Sequence, residues 1–458
     1  MEKEEIRLIL ERQKLFFSSG KTLPVDYRLE VLKKLRSLIL DHEKDLLDAL
    51  WADFRKPGFE VLATESRFVL SEMNLIIRKL RKWSAKKRVR TPLVNFIATS
   101  YTVPQPFGQV LIMSPWNFPF QLTLVPALGA LAAGNCVVLK ASQKVPETAR
   151  VIKNIFDHFP KELILVAEGD HSVSNFLMDY KFDYIFFTGS QKRGKILMAK
   201  AAENLIPITL ELGGKTPCVV AADARLDFAA RRIAWGKFIN GGQTCIAPDY
   251  LLVDSEVKEQ LLEMIKREIT VFYGKDPSAS NDLCRMVSPD RTEKMVSFMK
   301  HGKIIAGGIT SMADNYVSPT IIDGVTPDDP VMQEEIFGPV LPVITFRHFD
   351  EVYSVINRHP KSLAAYIFTR NNKQAEEFLS KTQSGSAAIN DTIMQVSVPE
   401  LPFGGIGPSG IGRYHGRKSF ETFSNIRSVM KKSNLVDIFV RYPPYTALKT
   451  KMLKMLLK

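Results

Sequence analysis

Gln109-Val110-Leu111-Ile112-Met113 and Cys136-Val137-Val138-Leu139-Lys140 bracket a helical run at 121–133, and this order of strand, helix and strand decides the fold. Both short runs are apolar at consecutive rather than alternating positions, as in strands buried on both faces of a parallel sheet. The order continues outward with a helix at 146–158, a strand at Leu163–Ala167, a short helix near 172–179, a strand at Asp183–Phe187 and a helix from about 191 to 203. Strands separated by helices predict an α/β fold with a parallel sheet wound on both sides. From about 211 a second α/β unit begins, with strands at 217–221 and 249–254, helices at 227–239 and 255–270, and further alternation to about 400. Residues 1–85 read as helices, with Leu29, Leu32, Leu35, Leu38 and Ile39 at helical spacing. Phe96–Val103 and Ile426–Lys431 are β-capable, lie outside this plan, and are expected to pair as an arm.

A chain of 458 residues suits two or three domains sharing a large core. With 45% hydrophobic and 24% charged residues and 26 Gly and 26 Pro spread along it, the chain is neither disordered, collagen-like nor a coiled coil. A net charge of +13 fits a nucleic acid, an anionic membrane or an anionic ligand such as a dinucleotide. No basic patch interleaved with aromatics is present, which argues against nucleic acid. Cys136, Cys218, Cys245 and Cys284 lie far apart with no histidine at ligand spacing, so no metal site is expected and a reducing compartment is. Glu2, Glu4 and Glu5 stand where a secretion signal would carry basic residues, and the expected location is cytoplasmic.

Phe107 to Leu139 carries no charge and is long enough to span a bilayer, but Pro115, Pro119, Pro126, Asn117 and Asn135 interrupt it, so it reads as strand, loop and helix in a core. The tail sets Leu448, Met452, Met455 and Leu456 on one helical face and Lys451, Lys454 and Lys458 on another. Such an end either touches a membrane surface or docks on the protein itself.

Four places carry candidate chemistry. After Phe187, Thr188-Gly189-Ser190 leads to Gly194 at a helix start, which is either a phosphate cradle or a plain strand-to-helix turn. Cys245 sits in Gly241-Gly242-Gln243-Thr244-Cys245-Ile246-Ala247-Pro248, an uncharged setting with room beside the sulfur, and reads as a nucleophile or as a small core residue. Glu211, in Leu210-Glu211-Leu212-Gly213-Gly214-Lys215, is a general base raised by apolar surroundings or an edge-strand acid facing water. Asn117, in Pro115-Trp116-Asn117-Phe118-Pro119, offers a neutral amide to an oxyanion, or serves as a turn residue. Other motifs fail. Gly20-Lys21-Thr22 lacks the leading glycine of a phosphate loop, since Leu15 stands there. Gly405-Ile406-Gly407-Pro408-Ser409-Gly410 follows a strand spoiled by Pro399 and Pro402, and Ile411 replaces the last glycine of a serine-hydrolase elbow.

Together with Glu334-Glu335-Ile336-Phe337-Gly338-Pro339, these stretches resemble the aldehyde dehydrogenase superfamily from about Arg12 to Tyr445. Thr244 to Tyr250, Leu401-Pro402-Phe403-Gly404-Gly405, Tyr414-His415-Gly416, Ser419-Phe420 and Arg441-Tyr442-Pro443-Pro444-Tyr445 are similar to its class 3, the fatty and aromatic aldehyde branch. The resemblance implies a Rossmann-type cofactor domain at 1–85 and 105–210, a catalytic domain at 211–420, an oligomerisation arm at 86–104 and 421–435, and a tail at 436–458. It implies Cys245 as catalytic thiol, Glu211 as base, and Asn117 with the Cys245 N–H as oxyanion hole. It also implies a cofactor, NAD or NADP, held by Trp116, Lys140, Gln143, Gly189, Ser190, Gly194, Glu335 and Phe337. A homodimer is implied too, because an arm leaves strand edges for a second subunit to cover.

One departure concerns the cofactor. The family's Lys-Pro-Ser-Glu is here Lys140-Ala141-Ser142-Gln143, and loss of the carboxylate removes a charge that would repel a 2′-phosphate. NADP should therefore be tolerated better than in relatives with Glu. The competing readings are a CoA-acylating enzyme, against which Glu211 argues, and a non-catalytic protein on the same fold, against which Cys245, Glu211 and Asn117 argue together.

Overall fold

The computed structural model describes the chain apart from Phe96, Val436, Leu457 and Lys458, and apart from the Leu456 side chain. Its centre is a six-stranded sheet in the order Gly410–Ile411, Ile208–Glu211, Tyr184–Thr188, Gln109–Met113, Cys136–Lys140, Ile164–Val166. The last five strands run parallel, and Gly410–Ile411 is antiparallel to Ile208–Glu211. Gln109–Met113 and Cys136–Lys140 are buried at every position, as their unbroken apolar runs require. All 13 residues of the intervening helix Gln121–Ala133 are buried as well. Pro126 lies inside this helix, whose bounds are those read from the sequence. It removes one N–H from the ladder but sits where packing on all sides holds the helix in place.

A second, seven-stranded sheet has the order Lys303–Ala306, Thr320–Asp323, Val340–Phe346, Tyr250–Asp254, Pro217–Val220, Ser362–Phe368, Ser384–Ile389. Only its first pair is antiparallel. The α/β class is thus as the strand pattern predicts, with shifts at element ends. The helix expected at 255–270 is Lys258–Tyr273, and the strand expected at Asp183–Phe187 is Tyr184–Thr188. The division at 210 and 211 does not coincide with the division between sheets. Glu211 ends a strand of the first sheet, and Gly410–Ile411 returns from far along the chain to cover it.

In the N-terminal helices Leu29, Leu32, Leu35 and Ile39 are buried and Leu38 partly so, which is the face their spacing marks. Ala98–Pro106 pairs antiparallel with Ser424–Lys432 along its whole length, and Lys87–Val89 adds a third strand. Phe96, expected to begin this arm, lies outside the described residues. The tail helix Ala447–Leu456 rests beside the arm, where Lys449 Nζ donates to the Tyr442 carbonyl at 2.8 Å. Leu448 and Met455 on it are exposed. Leu456 and Lys458, counted on its two faces, cannot be followed among the described side chains. No helix among the described residues is long and apolar enough to cross a membrane.

Candidate active site

The carboxyl edge of the six-stranded sheet faces the second sheet, and the four candidate stretches meet there around a cavity. Trp116, Asn117, Thr188, Gly189, Ser190, Glu211, Cys245, Glu335 and Phe337 all contribute to its wall. An apolar cavity opens on the far side of Cys245, and the two share Leu122, Cys245, Phe403 and Tyr414. Cys245 is half-buried, while Cys136, Cys218 and Cys284 are buried. That difference separates one accessible sulfur from three core residues.

Cys245 is aimed by an unusual turn. Asn240, Gly241 and Gly242 all have left-handed backbones, with φ of 55°, 60° and 71°. Asparagine and glycine are the residues that tolerate this region. At Gly242 a Cβ would lie 2.4 Å from the Gly338 carbonyl oxygen, so glycine is required there on space as well. Asn240 Nδ2 donates to the Asn117 carbonyl at 2.9 Å and to the Gln243 carbonyl at 3.2 Å. Gln243 Nε2 donates to the Asn240 and Arg285 carbonyls, both at 3.0 Å, and its Oε1 accepts from the Val287 N–H. Asn117 is 3% exposed and spends one amide hydrogen on the Gln243 carbonyl at 3.0 Å. This rigid link ties the Asn117 loop to the Cys245 loop and leaves its second amide hydrogen for a ligand.

Glu211 does not face water. The pairing of Gly410 opposite it removes the sheet edge, and the side chain is 2% exposed. Neither carboxyl oxygen has a hydrogen-bond partner among the described residues. Burial pushes its pKa well up, and the Arg413 guanidinium opposes this. Arg413 itself is held by donation to the Gly385 carbonyl at 2.7 Å and to the Gly404 carbonyl. The Cys245 thiol is also pushed up, first by burial and then by the Glu335 and Glu211 carboxyls, so it rests protonated.

Glu335 is carried on a clamped segment. Lys215 Nζ donates to Asp249 Oδ2 at 2.6 Å and to the Val331 and Glu334 carbonyls, while Asp249 Oδ1 accepts the Ile336 N–H at 3.0 Å. Gly213 leaves the space the Glu335 carboxyl fills, since a Cβ there would sit 2.1 Å from Oε2. Burial and the nearby Asp249 raise Glu335 to about 8. Phe337 has a φ of 52° and meets Trp116 edge-on at 5.4 Å, with Arg291 donating to its carbonyl.

These residues fit a dinucleotide. Gly189 and Ser190 stand before the helix Gln191–Glu203, an anion-binding end, and Thr188 Oγ1 is buried beside them without a partner among the described residues. Three sequence candidates lie outside this wall. Lys140 is buried with Nζ donating to the Ala141 carbonyl at 3.0 Å, and its pKa is lowered by burial against the pull of Asp170. Gln143 is exposed and donates to the Gly169 carbonyl. Gly194 faces Leu212, which a Cβ would meet at 2.9 Å, so its smallness lets helix and strand approach. Arg291 in the wall was not named from the sequence, and Leu212, Phe403 and Tyr414 were quoted there within motifs but given no place in the site. Nor was Asn240, although an Asn before Gly-Gly is a signal for left-handed backbone.

Residues 1–429 match the aldehyde dehydrogenase family. The 4,4'-diaponeurosporen-aldehyde dehydrogenase of Staphylococcus aureus is 41% identical over 435 residues, 94% of this chain and 95% of that protein. The dimeric NADP-preferring aldehyde dehydrogenase of Canis lupus familiaris is 41% identical over 98% of this chain and 99% of its own. Aldehyde dehydrogenase family 3 member B1 of Mus musculus is 39% identical over 96% of this chain and 94% of its own. Among solved structures, the substrate-bound state of Staphylococcus aureus AldH superposes with a TM-score of 0.97 at 40% identity, covering 99% of both chains. On sequence and on fold, this chain belongs to the aldehyde dehydrogenase family.

Proposed function

We propose that this protein oxidises medium- or long-chain aliphatic or aromatic aldehydes to carboxylic acids, with NAD or NADP as cofactor. The observation that carries the reading is the half-buried Cys245 at the meeting of two cavities. One is lined by Gly189 and Ser190 at a helix start with Trp116, Glu335 and Phe337 beside them; the other is predominantly apolar. The relatives named dimeric and NADP-preferring support the cofactor and a homodimer. Gln143 in place of a carboxylate supports use of NADP.

In this reading the aldehyde enters the apolar cavity and its carbonyl carbon meets Cys245. The Cys245 thiol gives its proton to the Glu211 carboxylate, which lines the same cavity and passes it to solvent; the sulfur then adds as thiolate, and the oxyanion accepts hydrogen bonds from the free amide hydrogen of Asn117 and the Cys245 N–H. A nicotinamide dinucleotide bound in the first cavity supplies the hydride acceptor. Glu211, with no partner on either oxygen, then takes a proton from water, and the hydroxide releases the acid from the Cys245 thioester. A base held ready for water supports hydrolysis over transfer to CoA.

The test is the absorbance of NADH and NADPH formed from short, long-chain and aromatic aldehydes without CoA, for the wild type and Cys245→Ala. Turnover that vanishes in the variant, with kcat/KM for NAD less than about a hundredfold above that for NADP, is the expected result. A folded wild type silent toward every aldehyde would sink the reading.

A further inference from the structure

The apolar cavity has one acid in its wall. Phe59, Glu60 and Thr64 contribute to it from one side, Trp235, Ile239 and Ile246 from another, and Glu60 is the only ionisable carboxyl among the described lining residues. Its other polar members, Thr64, Gln121, Thr244 and Ser397, carry no charge. Glu60 lies in the short helix Gly58–Val61, just before the π-helical turn Leu62–Ser66 that leads into Arg67–Trp83. Such wide turns insert a residue into a helix and re-aim the side chains around it.

Glu60 Oε2 accepts the backbone N–H of Asn240 at 2.9 Å. Asn240 opens the left-handed turn that delivers Cys245, and its side chain holds the Asn117 and Gln243 carbonyls. Glu60 therefore lines the cavity where an aldehyde tail would lie, and its carboxyl holds the backbone that aims the nucleophile.

The charged and titratable groups that face Glu60 are Lys56, Asp282, Tyr273 and Cys284. Lys56 is the sole cation among them, and its Nζ is already paired with Glu65 Oε1 at 2.7 Å, both side chains fully buried. The Glu60 charge is thus left largely uncompensated. Burial raises its pKa to about 7, with Lys56 and the Asn240 N–H opposing, so the carboxyl changes charge near neutral pH.

We propose that Glu60 is a specificity-determining residue of the aldehyde site: its carboxylate rejects aldehydes whose tail bears a second anionic group and thereby selects uncharged tails. This rests on the reading of the apolar cavity as the aldehyde site. In a cavity of low polarity, two like charges repel more strongly than in water. The bond to Asn240 adds a positioning role, because any change that removes the acceptor frees the turn before Cys245.

The experiment compares para-tolualdehyde with para-carboxybenzaldehyde, near-isosteres that differ in charge, as the ratio of their kcat/KM values. Wild type, Glu60→Gln and Glu60→Ala are assayed at about pH 6 and about pH 8.5. Effects on the chemistry common to both aldehydes cancel in this ratio. In the wild type the preference for the neutral aldehyde should widen about tenfold from the lower to the higher pH, as Glu60 ionises. In Glu60→Gln the ratio should lose that pH dependence and fall about tenfold at the higher pH. The amide oxygen can still accept the Asn240 N–H, so kcat on the neutral aldehyde should be higher for Gln than for Ala. A ratio in the wild type that is flat with pH overturns the assignment even if both variants fail to fold, and so does a ratio unchanged in Glu60→Gln. Turnover of neither aldehyde by the wild type would instead overturn the aldehyde-site reading and this assignment with it.

Discussion

At the scale of single residues, the site depends on carboxyls kept from water. Glu211 is buried without a partner on either oxygen among the described residues, and a carboxyl so placed holds its proton above the usual carboxylate range. Hydrolysis of a Cys245 thioester needs the ionised form, so the rate of that step should rise with pH through the raised pKa. Glu211→Gln keeps the shape and removes the base. Turnover should fall by about a hundredfold or more, with a burst of reduced cofactor and an acyl adduct on Cys245 visible in the intact mass. Multiple turnover near the wild-type rate would exclude Glu211 as the base. The residue types at 117, 211 and 245 were legible because each stands in a small-residue or apolar setting that makes little sense for an ordinary surface group. Glu60 was not legible, since an acid in a charged helical stretch looks like solvated surface until the fold brings Asn240 to it.

At the scale of elements, the turn Asn240 to Gly242 matters more than any single strand. Asn240→Ala puts an alanine at a φ of 55° and removes the donations to the Asn117 and Gln243 carbonyls. A cost of about 1–3 kcal/mol is expected from left-handed strain and lost bonds together. Asn240→Gly removes the bonds but not the tolerance for φ. Thermal melts should therefore rank wild type above Gly above Ala, while kcat should fall in both variants because the Asn117 and Cys245 loops are no longer tied. Equal kcat in all three would show that the tie does not position the site. The strand ends were legible only to within a residue or a few, because hydrophobic runs mark burial and not where hydrogen bonding stops. The cover that Gly410–Ile411 lays over Glu211 was not legible, as two residues leave no periodicity to read.

At the scale of the whole molecule, both sheets contribute residues to one cavity, and the arm forms a separate three-stranded sheet. Among the described residues the strand holding Ser424 to Met430 has one strand neighbour, Ala98–Pro106, so it forms an edge of its sheet, with Ile426 and Met430 exposed on it. Edges of this kind are covered in stable proteins, and a second copy of the chain would cover this one. Sedimentation of the wild type at about micromolar concentration should give a dimer, and Met430→Asp should shift it toward monomer. A wild-type monomer across that range would refute the homodimer. The excess of basic residues also belongs to this scale. A positive field favours an anionic dinucleotide at a distance, whatever the contacts at the site.

The order of strands and helices, the parallel central sheet and the choice of candidate stretches were determined by the sequence alone. Burial periodicity and local backbone chemistry are written in neighbouring residues. Tertiary structure alone decided that Glu211 is sealed under Gly410, that Gly194 serves packing against Leu212, and that Lys140 and Gln143 stand outside the cavity wall. It also decided that Glu60 meets Asn240 across 180 positions of chain. Each of these depends on which distant segments pack together, and that follows from the summed fit of the whole core, which no local stretch encodes.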